Sequence, residues 1–401
     1  MGCSSQSTSS LVVSFWSLQG TGEFPPIIQI IRKFDVSGLR IYPQARNVHR
    51  NSANQARIPV SFGGTMAQET PQGFIDVHAH IAPTSFLKEA QKSAKTFGVT
   101  VEETDAGHAL TFPGLPTLRA AGGSLSNTVA RTEWMQENGV GSQYMAAWLD
   151  IQGYTMTSDK EADWVRLLNE HMVQTAKDSG VAFRTIAAVP MRDGEKAARE
   201  LEYAVKTLGM LGTMLPSDPA DLDVADPGME PLWAAAEELD VPVMLHGASH
   251  SKWPHVGPSY MAFSMGRTLD TTILAAKLIH SGLLDRHPKL KLMLCHGGGS
   301  LPYLIGRVDI AYRRGMEKVT DLQKDGPEDY MSLLYYDTVT INPRSLELLL
   351  DMAGPEHILL GSDWVWAAMS GGLMDAVGAV GLSQANQDLI TRQNALDLFK
   401  G

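Results

Sequence analysis

Residues 73–83 have the sequence GFIDVHAHIAP. Its apolar run Phe74–Val77 leads into His78 and His80, with one alanine between them. Side chains on a β-strand alternate between two faces, so in a strand both histidines lie on one face, close enough to share a metal ion. Pro83 prevents the strand from continuing inside a sheet. An H-x-H pair is also compatible with two polar residues at a strand end, and the rest of the chain has to separate these interpretations.

The composition of the chain argues against several classes of protein. With 401 residues, 44% of them hydrophobic, the chain can bury a large core, and an α/β barrel of this size can be one domain. No apolar run is long enough for a membrane span. A net charge of −11 without a basic block argues against nucleic-acid binding, and dinucleotide and P-loop motifs are absent from the sequence. Cys3 and Cys295 provide no disulfide framework, so we expect a cytoplasmic protein.

Residues 1–65 differ from the rest of the chain. They are Ser-rich and lack clear periodicity, so we expect a disordered extension before a folded domain at 66–401. The first 31 residues contain no Arg or Lys, which argues against a transit peptide, and no basic region precedes the apolar LVVSFW of a candidate signal peptide. Translation that begins at Met66 is an equally simple explanation of the extension.

Short β-rich runs alternate with segments of helical periodicity along the remainder of the chain. Alternation of this kind indicates a parallel sheet, and eight such units predict a (β/α)8 barrel, with a doubly wound open sheet as the alternative. The predicted strands are Phe74–His80, Gln143–Leu149, Phe183–Val189, Gly212–Leu215, Val241–His246, Leu290–His296, Leu334–Thr340 and His357–Asp363. The predicted helices include Asp159–Asp178, Glu195–Leu208, Pro231–Leu239 and Arg267–Ser281.

Residues 84–126 interrupt this alternation between the first strand and the first barrel helix, which we place near Thr128–Asn138. The segment contains VTVEETDAGHALTF, in which two β-like runs flank Asp105-Ala106-Gly107. This pattern predicts a hairpin. We therefore expect a small insertion after strand one that caps the mouth of the barrel.

Candidate metal-binding and proton-transferring side chains end four of the predicted strands. His78 and His80 end the first, His246 the fifth, His296 the sixth and Asp363 the eighth. Catalytic residues of barrels of this kind lie at the carboxyl ends of the strands, so the histidines are best interpreted as metal ligands. Three imidazoles and a carboxylate suit Zn²⁺, with a position left for water or substrate. Strand four ends without a lysine, which excludes a carbamylated lysine bridging two metals there and favours a single ion.

Several motifs together resemble the amidohydrolase superfamily. Within it they are similar to the branch that contains aminocarboxymuconate-semialdehyde decarboxylase and the hydroxybenzoate decarboxylases. The motifs are HAHIAP at 78–83, the isolated His246, HGGGSLPYLIGR at 296–307, LGSDW at 360–364 and QNALDLF at 393–399. The first and fourth are weak singly, whereas the third is specific, and the ordered set covers the chain from about residue 74 to its end.

The resemblance implies a role for each site residue. It makes His78, His80, His246 and Asp363 the ligands of one Zn²⁺, or of another divalent ion such as Mn²⁺. It makes His296 the catalytic acid/base, and it makes Arg307 a group that binds the substrate carboxylate from the neighbouring subunit of a homodimer. The expected pocket departs from the family pattern at Gly247, where proline is common. It also departs at the loops that carry Trp253 and Trp364, and we expect both tryptophans to contact substrate. The arginine that the family contributes from its insertion has only a weak candidate, Arg119.

A metal beside a histidine supports two reaction classes. In decarboxylation the ion gathers developing negative charge and the histidine moves a proton, whereas in hydrolysis the ion activates water. The absent strand-four lysine and the HGGG segment favour non-oxidative decarboxylation of a small aromatic or unsaturated carboxylic acid. A metal-dependent hydrolase of a C–C, ester or lactone bond is the alternative. A non-catalytic binding protein with structural zinc is a remote third reading, because structural sites are typically closed.

Overall fold

The computed structural model describes residues 72–180, 183–217, 219, 222–247, 261–316, 321–365 and 373–400. The predicted disordered extension at 1–65 lies outside these residues, so its disorder and the domain boundary at 66 remain predictions. Trp253 also lies outside them.

All eight predicted strands are present, and three further strands lie in the insertion. In chain order the strands are β1 (Phe74–Ile81), β2 (Thr100–Thr104), β3 (Gly107–Thr111), β4 (Leu118–Ala121), β5 (Val140–Ala147), β6 (Phe183–Ile186), β7 (Thr213–Ser217), β8 (Val243–Gly247), β9 (Leu292–Leu294), β10 (Tyr335–Asp337) and β11 (Ile358–Leu359). The helices are α1 (Thr84–Phe97), α2 (Thr128–Glu137), α3 (Ser158–Asp178), α4 (Gly194–Lys206), α5 (Glu230–Glu238), α6 (Arg267–His280), α7 (Leu283–Arg286), α8 (Leu301–Arg313), α9 (Pro343–Ala353), α10 (Asp375–Ala379), α11 (Gln384–Asp388) and α12 (Asn394–Leu398).

Parallel pairing arranges the eight main strands in chain order. One sheet contains β1, β5 and β6, and a second contains β7 to β11. Single parallel bridges join the edges of these sheets, Ala187 to Thr213 on one side and Ala79 to Trp364 on the other. This order of strands, alternating with helices, confirms the predicted (β/α)8 barrel.

Helix α4 shows how the local sequence produces these elements. Asp193 caps its first turn by accepting a hydrogen bond from the backbone N–H of Lys196 at 3.1 Å. Ala197, Leu201 and Ala204 recur at helical spacing and are buried, so this apolar stripe packs the helix onto the sheet. The strand β1 is buried along nearly its whole length, as expected for a parallel strand covered on both faces.

The insertion contains the predicted hairpin and a helix that was not predicted. Strands β2 and β3 pair antiparallel around the turn, with Thr104 opposite Gly107. Helix α1 precedes them, and its residues Phe86 and Phe97 contact Trp164 of helix α3 with ring centroids 5.0 and 5.1 Å apart. The apolar spacing of α1 is helical, but the sequence interpretation identified only the hairpin in this segment. Capping of the barrel mouth by residues 84–126 remains a prediction.

Candidate metal centre

The five side chains that were predicted to form the site lie together at the carboxyl ends of the strands. Candidate ligand atoms of His78, His246, His296 and Asp363 all lie within 4.8 Å of one another. His80 belongs to the same cluster, because its Nε2 is 3.2 Å from Nε2 of His78 and 3.3 Å from Oδ1 of Asp363. The structure thus offers two candidates, His80 and His296, for the last place in a four-residue ligand set.

Two of the five residues lie just beyond the strands and not in them. The sequence interpretation extended the sixth strand to His296 and the eighth to Asp363, but β9 ends at Leu294 and β11 at Leu359. His296 has φ 57° and Asp363 has φ 46°, left-handed values that a strand cannot contain. Left-handed backbone conformations are strained in residues other than glycine. They are concentrated at functional sites, where contacts with the surrounding structure stabilise them.

Asp337 orients the first histidine of the cluster. Its Oδ2 lies 2.7 Å from Nδ1 of His78, so the imidazole donates its Nδ1 proton to the carboxylate and directs the lone pair of Nε2 into the cluster. Asp337 also accepts hydrogen bonds from the backbone N–H groups of His296 at 3.0 Å and Gly297 at 2.9 Å. One buried carboxylate therefore fixes both His78 and the strained turn at His296.

His246 presents a free lone pair to the cluster. Its Nδ1 lies 2.8 Å from the carbonyl oxygen of Gly247, which assigns the proton to Nδ1, while its buried Nε2 has no hydrogen-bond partner. Burial holds the pKa of His246 well below its ordinary value, so the ring is neutral. Only glycine fits directly after His246, because a Cβ on Gly247 would lie 2.2 Å from the backbone oxygen of Arg267.

The charge states of the other two ligand candidates also suit a cation. Burial lowers the pKa of His80 to about 4, so this imidazole is neutral at physiological pH. Burial opposes ionisation of Asp363, yet hydrogen bonds with His296 and His80, together with charge interactions with His78 and His296, hold the pKa of Asp363 well below its usual range. Asp363 is therefore ionised, and His80 and His246 are neutral.

This donor set fits a divalent metal ion. Neutral imidazole nitrogens and a carboxylate are the ligands of mononuclear Zn²⁺ sites and also serve Mn²⁺. The orphaned Nε2 of His246 supports the fit, since a buried acceptor without a partner costs about 1–3 kcal/mol unless something binds it. Strand β7 carries no lysine, as the sequence predicted, so a carbamylated lysine cannot bridge two ions there.

A cavity of about 440 Å³ opens beside the cluster, with His296 and Asp363 in its wall. Apolar side chains of Val339 and Leu348 line it together with the hydroxyl of Thr268. Among the described residues along this cavity, Arg267 carries the permanently charged guanidinium. Sites with an apolar lining and a few convergent polar groups bind small molecules.

Two of the residues predicted to contact substrate lie away from the described lining of this cavity. Trp364 is 7% exposed and packs on Trp134, with ring centroids 4.9 Å apart. Arg307 is exposed on helix α8 and lines a separate cavity between helices α6 and α8. The sequence also allowed a purely structural role for Arg307, a surface ion pair with Asp309 or Glu317. Asp309 pairs instead with Arg313 at 2.5 Å, and Glu317 lies outside the described residues. Contact of either residue with substrate remains a prediction.

Sequence reasoning missed three residues that the structure places at or near the site. Asp337 ends β10, so the strand-end rule that found the histidines applied to it as well. Arg267 follows a segment without strand signal, and nothing in its neighbourhood distinguished it from a surface arginine. Arg131 was hidden in helix α2, where a charged residue is ordinarily solvated, but it is fully buried.

A (β/α)8 barrel with imidazoles and a carboxylate converging at the carboxyl ends of its strands is the arrangement of a metal-dependent barrel enzyme. The chain belongs to the amidohydrolase family, which it matches over residues 75–401.

Known relatives place the chain in the carboxy-lyase branch of that family, as its motifs predicted. Gamma-resorcylate decarboxylase from Polaromonas sp. is 30% identical over 287 residues, which are 67% of this chain and 86% of that protein. 2-Amino-3-carboxymuconate-6-semialdehyde decarboxylase from Dictyostelium discoideum is 23% identical over 295 residues, 72% of this chain and 81% of that protein.

A solved structure shares the fold. Dihydroxybenzoic acid decarboxylase from Polaromonas sp., crystallised with manganese and the inhibitor 2-nitroresorcinol, has a TM-score of 0.65 and 23% identity, over 82% of this chain and 97% of that one. Within the described part of this chain, no helix is both long and apolar enough to cross a membrane.

Proposed function

We propose that this protein is a metal-dependent, non-oxidative decarboxylase of a small aromatic or unsaturated carboxylic acid. The observation that carries the proposal is the convergence of His78, His246, His296 and Asp363 within 4.8 Å beside an open cavity. We assign His78, His80, His246 and Asp363 as ligands of one ion and His296 as the acid/base. Zinc is the ion that this ligand set favours, and manganese is the alternative, since the related Polaromonas structure contains it.

His296 is assigned the proton transfer because of its place between the ligands and the cavity. Its Nε2 lies 3.4 Å from Oδ2 of Asp363, and its side chain lines the cavity, whereas His78 and His80 are fully buried. The bond between the substrate carbon and its carboxyl group breaks, the electron pair stays on that carbon, and His296 delivers a proton there to form the new C–H bond. When bound, the metal supplies Lewis-acid stabilisation of the developing negative charge.

Substrate binding requires a cation for the carboxylate and an apolar wall for the ring or diene. Val339 and Leu348 provide the wall. Arg267 is the carboxylate partner that this chain places in its own cavity, and Arg307 is the partner that a second chain of a homodimer would supply across the interface. Contacts of Trp253 and Trp364 with substrate, and a cytoplasmic location, remain predictions.

Product analysis tests the proposal directly. Purified protein loaded with zinc or manganese is incubated with a panel of hydroxybenzoates and muconate-like acids, and CO2 is measured together with ultraviolet absorbance. We expect CO2 in equimolar amount to the decarboxylated product, and none with a His246→Ala variant. Release of an alcohol or a cleaved carbon chain from esters, lactones or diketones, without CO2, would overturn the proposal in favour of a hydrolase.

A further inference from the structure

Arg131 carries a positive charge in the protein interior close to the metal centre. The residue lies on helix α2 and is 0% exposed. A buried charge is strongly unfavourable without hydrogen bonds, and here the two terminal nitrogens make them while the buried Nε has no hydrogen-bond partner. Its guanidinium donates to Oε1 of Gln143 at 2.8 Å and to the backbone oxygen of His80 at 2.5 Å.

Gln143 connects this charge to a buried carboxylate. Its Nε2 donates to Oδ2 of Asp76 at 2.7 Å, so the amide links an arginine and an aspartate that do not touch. Asp76 also accepts from the backbone N–H of His78 at 3.2 Å and that of Ser362 at 2.9 Å. The Arg131–Gln143–Asp76 network thus ends on the backbone of strand β1 and of the segment after β11.

Arg131 also supports the residue that follows Asp363. Its Cζ lies 5.4 Å from the centroid of the Trp364 ring. The backbone oxygen of Trp364 accepts from the N–H of His80 at 3.0 Å. Both backbone groups of His80 are therefore held, the N–H by Trp364 and the carbonyl by Arg131.

We propose that Arg131 is a positioning residue of the metal centre, which fixes the segments bearing His80 and Asp363 relative to each other. This inference rests on the proposed function, because it assumes that both residues are ligands. A metal site needs its ligands within a few tenths of an ångström, and groups outside the ligand shell that orient them typically alter affinity about 10–100-fold. Only a guanidinium can donate to two acceptors in fixed directions while presenting a flat face to an indole.

The test separates loss of positioning from loss of stability. Wild type, Arg131→Met and Arg131→Lys are each compared with Asn169→Leu as a matched control. Asn169 is also fully buried, and it donates to the backbone oxygen of Ala188 and to Glu200, both at 2.9 Å, without contacting the metal centre. Each protein is measured for thermal unfolding, for the Co²⁺ dissociation constant by chelator competition, and for the visible absorption of the Co²⁺-loaded form, which reports coordination geometry.

We expect all three variants to unfold at lower temperature. Arg131→Met should bind Co²⁺ about 10–100-fold more weakly than wild type and should give an altered absorption spectrum. The Co²⁺ affinity of Arg131→Lys should lie between those of Arg131→Met and wild type. Asn169→Leu should match wild type in Co²⁺ affinity and in spectrum. A folded Arg131→Met protein with wild-type affinity and spectrum would overturn the inference and leave the proposed function intact. If Arg131→Met does not fold, Gln143→Met interrupts the same network and replaces it in the test. Weaker Co²⁺ binding with an altered spectrum would then support the inference, and wild-type affinity and spectrum would overturn it. Wild-type protein that binds no divalent ion would instead overturn the proposed function.

Discussion

Asp337 accepts a hydrogen bond from Nδ1 of His78 at 2.7 Å, with both side chains fully buried. The carboxylate selects the tautomer that directs the lone pair of Nε2 at the metal centre. We expect Asp337→Asn to weaken metal binding about 10–100-fold, because a neutral amide holds the ring less firmly and can present its own N–H to Nδ1. Chelator competition measures the affinity. Asp309→Asn, which removes a carboxylate on helix α8, is the control, and equal affinities of both variants would contradict the prediction.

The choice between His80 and His296 as a ligand is decided by metal content. We expect His80→Ala to lose the ion, since the fully buried His80 has no access to substrate. His296→Ala should keep the ion and lose turnover, by about 10²–10⁴-fold, the usual contribution of a positioned acid or base. Elemental analysis of both purified variants gives the answer alongside kcat. Metal-free His296→Ala protein would show that His296 is itself a ligand.

The stoichiometry of the centre is a separate prediction. We expect about one divalent ion per chain, because the two groups of ligand candidates among the described residues share His78 and strand β7 supplies no bridging lysine. The second group consists of His78, Cys295 and Asp337. His246→Ala and Asp363→Ala should each lower the metal content. Chelation should abolish CO2 release, and adding back zinc or manganese should identify the more active ion. Two tightly bound ions per wild-type chain would exclude the mononuclear site.

Much of the candidate site could be predicted from the sequence, because functional residues of such barrels lie at the carboxyl ends of the strands. His78, His80 and His246 lie on strands, where the alternation of side chains fixes their direction, and the H-x-H spacing is readable without a structure. His296 and Asp363 were found for the same reason although they lie beyond the ends of their strands, at Leu294 and Leu359. The sequence identified both residues but predicted a strand conformation for them. That prediction was wrong because left-handed φ values in residues other than glycine depend on tertiary contacts.

The supporting residues show where sequence reasoning ends. Arg131 and Gln143 bear no spacing relationship to the histidines, and their roles arise only when helix α2 packs beside strands β1 and β5. From sequence alone, polar residues in a helix or on a strand face are predicted to be exposed to solvent. Their burial depends on partners that are distant in sequence. Helix α1 was missed for a simpler reason, because its helical apolar spacing was outweighed by the hairpin signal that follows it.

Glu161 predicts a pH dependence of stability that is independent of the metal. Its carboxylate is buried at the start of helix α3 and accepts from the backbone N–H groups of Met191 at 2.9 Å and Arg192 at 3.2 Å. Burial raises the pKa of Glu161 from 4.5 to about 7, although these hydrogen bonds oppose the rise. The folded state therefore holds the proton more tightly than the unfolded state, so this group favours folding below pH 4.5 and that contribution is lost as the pH rises through 7.

A Glu161→Gln variant should remove this dependence. Between pH 5 and pH 8 the free energy of unfolding of wild type should fall by about 3 kcal/mol relative to the variant, as a shift of this size implies. Urea denaturation at both pH values measures the difference. Glu195→Gln changes a side chain that is 70% exposed and should follow wild type at both pH values. A Glu161→Gln protein whose stability parallels wild type across this range would contradict the assigned protonation.

Arg267 and Arg307 are two candidates for binding the substrate carboxylate, the first from the chain that contains the site and the second from a neighbouring chain. Arg267 lines the cavity that contains His296 of its own chain, whereas Arg307 lies on helix α8 and lines a different cavity. Arg307 is eleven residues after His296 and beyond Pro302, which makes reaching its own centre geometrically awkward, so we propose that it serves a neighbouring barrel. We expect Arg267→Ala and Arg307→Ala each to raise KM strongly in folded, metal-loaded protein, because each removes a guanidinium partner of the carboxylate.

Mixing variant chains, assayed at substrate concentrations near the wild-type KM where each variant alone shows little activity, distinguishes the two arginines. Arg307→Ala combined with His296→Ala should recover partial activity, because one site of each mixed dimer then has both groups intact. Arg267→Ala combined with His296→Ala should recover none, since both groups of a site come from one chain and no intact site can form. This second mixture is the matched control for subunit exchange, with mixed dimers verified by differently tagged chains. An active enzyme that is strictly monomeric, or verified Arg307/His296 mixed dimers without activity, would exclude a shared site and leave Arg267 as the carboxylate partner.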